Sequence, residues 1–169
     1  MKNVRLFIAM DFSSQIIVEV TNFQNQLRRE LSNVPIRWVA PETMHLTLQF
    51  LGEVPQNQIP AIQEAISTSA AGFSAVPVHI GSIGSFPSFK KPQVLWLGLS
   101  SNQTLKKIAT QLQAALQPLG FKPEKEFMPH LTLGRLNKMA SREQQNLVSA
   151  VLARWQSVDI GEDRMREVI

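Results

Sequence analysis

The chain of 169 residues contains no cysteine. That absence excludes a disulfide framework, a thiolate zinc site, an iron–sulfur cluster and a cysteine nucleophile together. It also fits a reducing compartment. Tyrosine is missing too. Long apolar runs are absent: Leu6 to Met10 and Val94 to Leu99 fall far short of the roughly 18 residues that span a bilayer. Lys2 and Arg5 flank the first run, but it stops at Asp11 with no small-residue cleavage site, so a first strand and a cytoplasmic location are expected. Glycine and proline are sparse, at 8 and 10 residues, and 44% hydrophobic against 18% charged is an ordinary globular balance. A net charge of +4 suits an anionic partner without reaching histone-like extremes. The length predicts one domain or a compact pair of lobes, and no linker divides residues 1 to 169.

Residues 4 to 10 read as a buried strand. Ser13 or Ser14 then caps a helix to about Leu31, whose stripe is Ile16, Val20, Phe23, Leu27 and Leu31. Strands follow at 36 to 39 and 45 to 51, the latter ending at Gly52, and a second helix after Pro55 turns Ile59, Ile62 and Ile66 inward. Two more strands, 75 to 84 and 93 to 99, flank SIGSFPSFKKPQ, which its turn formers predict to be a surface loop. A third helix covers about 102 to 117, a strand about 127 to 136, and a fourth helix starts from the capping box of Ser141 and Gln144, with Leu147, Val148, Val151, Leu152 and Trp155 inward. Residues 156 to 169 are poorly patterned. Several strands follow one another directly, which predicts an α+β fold with antiparallel pairing rather than a doubly wound sheet.

The tetrapeptide HLTL occurs twice, at His45 to Leu48 and His130 to Leu133, half the chain apart. In a strand the side chains alternate, so the leucines enter the core while His45, Thr47, His130 and Thr132 share the other face. An internal duplication would bring those faces together across a cleft. Two imidazoles there supply what phosphodiester chemistry needs. With an ordinary pKa near ~6.5, one can be neutral and accept a proton while the other is charged and donates one. The threonine hydroxyls can hold non-bridging phosphate oxygens, and Arg135 can pair with the same phosphate. A lone histidine in a strand is usually an ordinary polar residue, which is the reading given to His79.

LFIAM at Leu6 to Met10, RWV at Arg37 to Val39, MHLTLQFLGEV from Met44 to Val54, GSFP at Gly84 to Pro87, VLWLGL at Val94 to Leu99 and FMPHLTLGR at Phe127 to Arg135 together resemble the two-histidine (2H) phosphoesterase superfamily. The resemblance is closer to its RNA 2′,3′-cyclic phosphodiesterases, long called 2′-5′ RNA ligases, and covers about residues 4 to 155. It implies a bilobal, duplicated α+β fold of two mainly antiparallel sheets flanked by helices around a central cleft. It further implies metal-independent hydrolysis of a terminal 2′,3′-cyclic phosphate to a 2′-phosphate, in RNA processing, with no cofactor. By the same resemblance His45 is the proton donor and His130 the proton acceptor, Thr47 and Thr132 bind phosphate, and Arg135 lies near it. The expected partners are RNA with 2′,3′-cyclic phosphate ends or small cyclic nucleotides, with no membrane, and the protein is expected to be a monomer. Relatives usually finish with Leu-x-x-Ser and Gly-x-x-Tyr elements. VDIGEDRMREVI has neither, so the tail from 156 to 169 is atypical.

In the loop from Gly84 to Pro92, Phe86, Phe89, Lys90 and Lys91 suit stacking on a base and meeting a phosphate, as well as a plain hairpin connection. Of Arg37 and Trp38 only one can face the site, and Arg37 is the expected substrate contact. Phe7 is expected in the core. Three rivals remain: ligation by the reverse reaction, a binding-only RNA or nucleotide module, and a histidine-ligated metal enzyme. The last has only two good ligands.

Overall fold

The structure is a computed structural model and describes residues 2–100, 103–123 and 126–169. Seven strands form its sheet: β1 (Asn3–Asp11), β2 (Ile36–Trp38), β3 (His45–Pro55), β4 (Val76–Ser88), β5 (Lys91–Leu99), β6 (His130–Leu136) and β7 (Asp159–Met165). Their spatial order is β1-β3-β6-β5-β4-β7, with β2 paired to β6, and every pairing is antiparallel. The two sheets expected for the two halves are joined through one register pair, Leu46 opposite Leu131.

Four helices complete the fold: α1 (Ser14–Glu30), α2 (Ile59–Ala70), α3 (Gln103–Leu116) and α4 (Arg142–Arg154). Ser13 caps α1 by accepting from the Ile16 amide, and Ser141 with Gln144 forms the expected capping box of α4. The predicted start of α3 at residue 102 lies outside the described residues. Leu46, Leu48, Leu131 and Leu133 are all buried, in one core cluster with Ile16 and Val20 of α1, Leu105 and Leu112 of α3 and Val148 and Leu152 of α4. Leu147 is an exception to its predicted stripe, being 43% exposed.

Three segments differ from the sequence reading. SIGSFPS is strand rather than surface loop. β4 continues to Ser88, and Ile83, Gly84 and Ser85 are buried. Pairing with β5 along its length outweighs the turn-forming composition, and the connection shrinks to Phe89 and Lys90. Phe89 packs against the core instead of facing a ligand. Residues 127 to 129 precede β6 and are not strand.

The tail is the third. It is ordered as β7, paired along β4 from Val76 opposite Met165 to Gly81 opposite Asp159. Asp163 is buried because its carboxylate accepts from the Ser13 and Arg164 amides, which ties β7 to the start of α1. Beyond β7, Val168 bridges to Met10, and Ala9 and Ile169 exchange two backbone hydrogen bonds of 2.8 and 2.9 Å.

Candidate active site

β3 and β6 run antiparallel through Leu46 and Leu131, so one step to either side carries His45 towards Thr132 and Thr47 towards His130. Each histidine therefore meets the threonine of the other copy. The four side chains line an open cleft of about 620 Å³ together with Phe7, Phe50, Phe86 and Arg135. That volume lies within the usual range for a small-ligand site.

The histidines are held alike. Nδ1 of His45 lies 2.8 Å from the Thr43 carbonyl, and Nδ1 of His130 lies 2.7 Å from the Met128 carbonyl. A carbonyl only accepts, so each Nδ1 carries the proton, and in the neutral ring the lone pair belongs to Nε2. Both rings are also braced by aromatics. Phe7 stacks on His45 at 4.6 Å, nearly parallel, while Phe86 meets His130 edge-on at 4.9 Å.

Arg135 reaches the cleft through a β-bulge. Strict alternation from His130 and Thr132 would turn position 135 to the leucine side. Across from β5, however, Thr132 pairs with Trp96 and Gly134 with Leu95, which leaves Leu133 as an extra residue and returns Arg135 to the histidine face opposite Val94. The first copy repeats the device. Thr47 pairs with Ala9 and Gln49 with Ile8, so Leu48 is the extra residue, and Phe50 comes to the same face opposite Phe7. Phe50 is thus the counterpart of Arg135, five residues after its histidine. One half of the cleft ends in a guanidinium and the other in an exposed aromatic pair, with Phe7 and Phe50 44% and 59% exposed. The expectation that Phe7 lies in the core is therefore corrected: its pairing with Phe50 puts it on the cleft face. Phe50 escaped the sequence reading altogether, although aligning the two HLTL copies sets it against Arg135.

The bulge at Leu133 is clamped from behind. The buried amide of Gln24, on α1, donates through Nε2 to the carbonyls of Leu133 and Val39, both at 2.9 Å. The Val39 amide donates to the Leu133 carbonyl as well. Below Phe86, the Trp96 indole lies across Gly84, where an added Cβ would fall 2.2 Å from Cζ2. Gly84→Ala is therefore expected to push the indole, and with it Phe86 and His130, out of place. It should cost about 1–3 kcal/mol in chemical denaturation and lower turnover, and unchanged stability and turnover would contradict this packing.

Arg37 stands apart. β2 turns Ile36 and Trp38 to the core side, with the Arg28 guanidinium 5.7 Å from the Trp38 ring centre, and presents Arg37 outward, beside the cleft rather than in it. His79 lies elsewhere, paired with Asp159 at 2.9 Å.

A cleft with paired imidazoles, paired hydroxyls and a guanidinium has the donor set of a phosphoester-handling site. The family described as LigT like Phosphoesterase matches residues 11–96 and again 97–164, one match to each half, and the chain belongs to that family. Relatives named RNA 2′,3′-cyclic phosphodiesterase include one from Archaeoglobus fulgidus, 31% identical over 97% of this chain and 88% of its own. Another, from Methanothermobacter thermautotrophicus, is 28% identical over 98% of this chain and 87% of its own. Among solved structures, a Thermus thermophilus protein superposes with a TM-score of 0.79 at 23% identity, covering 98% of this chain and 86% of that one. Escherichia coli LigT complexed with 3′-AMP gives 0.74 at 21% identity, covering 99% of this chain and 86% of that one. At these identities the structural likeness speaks to the fold. No helix among the described residues is long and apolar enough to cross a membrane.

Proposed function

We propose that this protein opens the 2′,3′-cyclic phosphate at the end of an RNA, leaving a 2′-phosphate, with His45 and His130 as the proton-transferring pair. The observation that carries the reading is the pairing of two H-L-T strands across one cleft, each imidazole fixed through Nδ1, which makes Nε2 the atom for proton exchange. Relatives named for the same reaction support it.

In the reaction, His130 accepts a proton from water as the water oxygen bonds to phosphorus. The bond from phosphorus to O3′ breaks, and protonated His45 gives its proton to that oxygen. The products are a 3′-hydroxyl and a 2′-phosphate monoester, and the two imidazoles have exchanged protonation states, which solvent restores. Thr47 and Thr132 donate to the non-bridging oxygens, and Arg135 pairs with the negative charge they carry. The direction of transfer, acid from His45 and base from His130, follows the family resemblance, since the two rings have matching Nδ1 partners.

Among the described residues no three His, Asp or Glu side chains gather to hold a metal. Metal independence is part of the proposal, as the resemblance to two-histidine phosphoesterases implies. A short RNA ending in a 2′,3′-cyclic phosphate, incubated with the protein in excess chelator, should be converted to the 2′-phosphate at the rate seen without chelator. Loss of turnover restored by a divalent cation would overturn the metal-independent step, and a 3′-phosphate product would overturn the assignment of the leaving oxygen. One core cluster runs through both halves, which supports their folding as one unit, and the protein is proposed to act as a monomer.

A further inference from the structure

We infer that Arg37 and Arg135 form a second phosphate subsite beside the catalytic cleft, which takes the phosphodiester preceding the terminal nucleotide and so selects RNA strands over cyclic mononucleotides. The inference rests on the phosphodiesterase reading above and adds what that cleft alone does not specify, the length of the substrate.

β2 pairs antiparallel with β6, and Arg37 lies directly opposite Arg135. Residues opposite each other in such a pair project to the same face, so the two arginine side chains rise on one face from neighbouring strands about 4.8 Å apart. Like charges in that position repel and destabilise the pair unless an anion joins them. Among the described residues neither arginine has an acidic partner; the ion pairs there are His79–Asp159 and Arg154–Glu30, both elsewhere. Both arginines are exposed, although packing fixes their strands beneath them. Ile36 and Trp38 anchor β2 in the core, and Gly134 fits closely against them, where a Cβ would fall 2.8 Å from Ile36 Cγ2.

The position of the pair points to the ligand. Arg135 borders two depressions: the cleft that holds both histidines, and a second one that it shares with Arg37, Asn137 and Lys138. A phosphate held by the histidines and threonines would meet Arg135 on one side, and a chain leaving the cleft on that side would cross Arg37 next. The opposite side of the cleft ends in the aromatic pair of Phe7 and Phe50, and the next residue on that face of β1, Arg5, stands opposite an acidic residue, Glu53, rather than a second arginine. The two halves are thus unequal in the way a polyanion with one special end requires. A cyclic mononucleotide occupies the first depression alone. A strand brings a further phosphate for the second, where paired guanidinium groups bind a phosphodiester with charge-assisted hydrogen bonds.

The test compares wild type with Arg37→Gln on two substrates, adenosine 2′,3′-cyclic phosphate and a pentaribonucleotide ending in a 2′,3′-cyclic phosphate. The ratio of kcat/KM for the pentamer to that for the mononucleotide should fall about tenfold in the variant. The slope of log KM for the pentamer against log salt should shrink by about 0.7, the share of one single-strand phosphate contact. A pentamer with an uncharged methylphosphonate at the linkage before its last nucleotide should impose the same loss on wild type and little further loss on the variant. Equal ratios in wild type and variant, or full additivity of variant and methylphosphonate, would overturn the subsite while mononucleotide turnover left the phosphodiesterase reading standing. A wild type that opens neither substrate would overturn that reading, and the subsite with it.

Discussion

His45→Ala and His130→Ala are each expected to lower kcat/KM on a cyclic-phosphate RNA by about 10²–10⁴-fold, the range that a positioned proton-transfer group contributes. The double variant should fall little further, because an acid and a base that serve one step lose their value together. The loss should appear in kcat more than in KM, since Thr47, Thr132 and Arg135 remain to hold the phosphate. Stability should change little: both histidines sit at the start of a strand, half-buried, and Nδ1 of each bonds to a carbonyl two residues back. Rapid-quench turnover beside thermal melts separates the two effects. If one variant kept more than a tenth of wild-type kcat, that histidine would not be a proton-transfer group.

Gln24→Leu is expected to lower stability and substrate affinity together. The side chain is buried and reaches across to carbonyls on two other segments, Val39 and Leu133. Leucine fills similar space but leaves the Val39 and Leu133 carbonyls without this donor. The cost should be about 2 kcal/mol, or a Tm lower by about 4–8 °C. Leu133 is also the residue whose insertion turns Arg135 into the cleft, so the variant should raise KM for cyclic phosphates as well as melt early. Gln26→Leu, on the exposed side of the same helix, is the control and should do neither. Melting of the two variants at the same temperature would show that the clamp contributes nothing.

Much of the site was legible because it rests on strand alternation and on a repeat. The paired HLTL segments predict which four side chains share a face, and the structure brings them to one cleft with Arg135 and Phe86. Alternation fails five residues after each histidine, where one bulged leucine reverses the parity. Nearness to His130 and the family resemblance both point to Arg135, whereas strict alternation along the strand places it on the core side. Phe50 had no such help. In the fold, the segments that misled were those whose composition argues against strand. SIGSFPS is rich in turn formers, yet it is held on one edge by β5, and β7 holds the preceding part of the same strand. VDIGEDRM carries three acidic residues, and its buried one, Asp163, is satisfied by amides that only the folded chain brings near. Long-range pairing of this kind leaves no local pattern.

Only three peptide steps separate Met165, which closes β7, from Val168, which bridges to Met10. Extended chain covers at most about 11 Å in that distance, so the two outermost strands of the sheet approach each other. Exposed strand edges are templates for aggregation, because their unpaired amides and carbonyls accept a strand from another molecule. Here the end of β1 beside the cleft is already occupied by the chain's own last residues, and Arg5 places a charge farther along it. Val168 and Ile169 thus take up the backbone at Met10 and Ala9 that a strand from another molecule would need, on the edge next to His45.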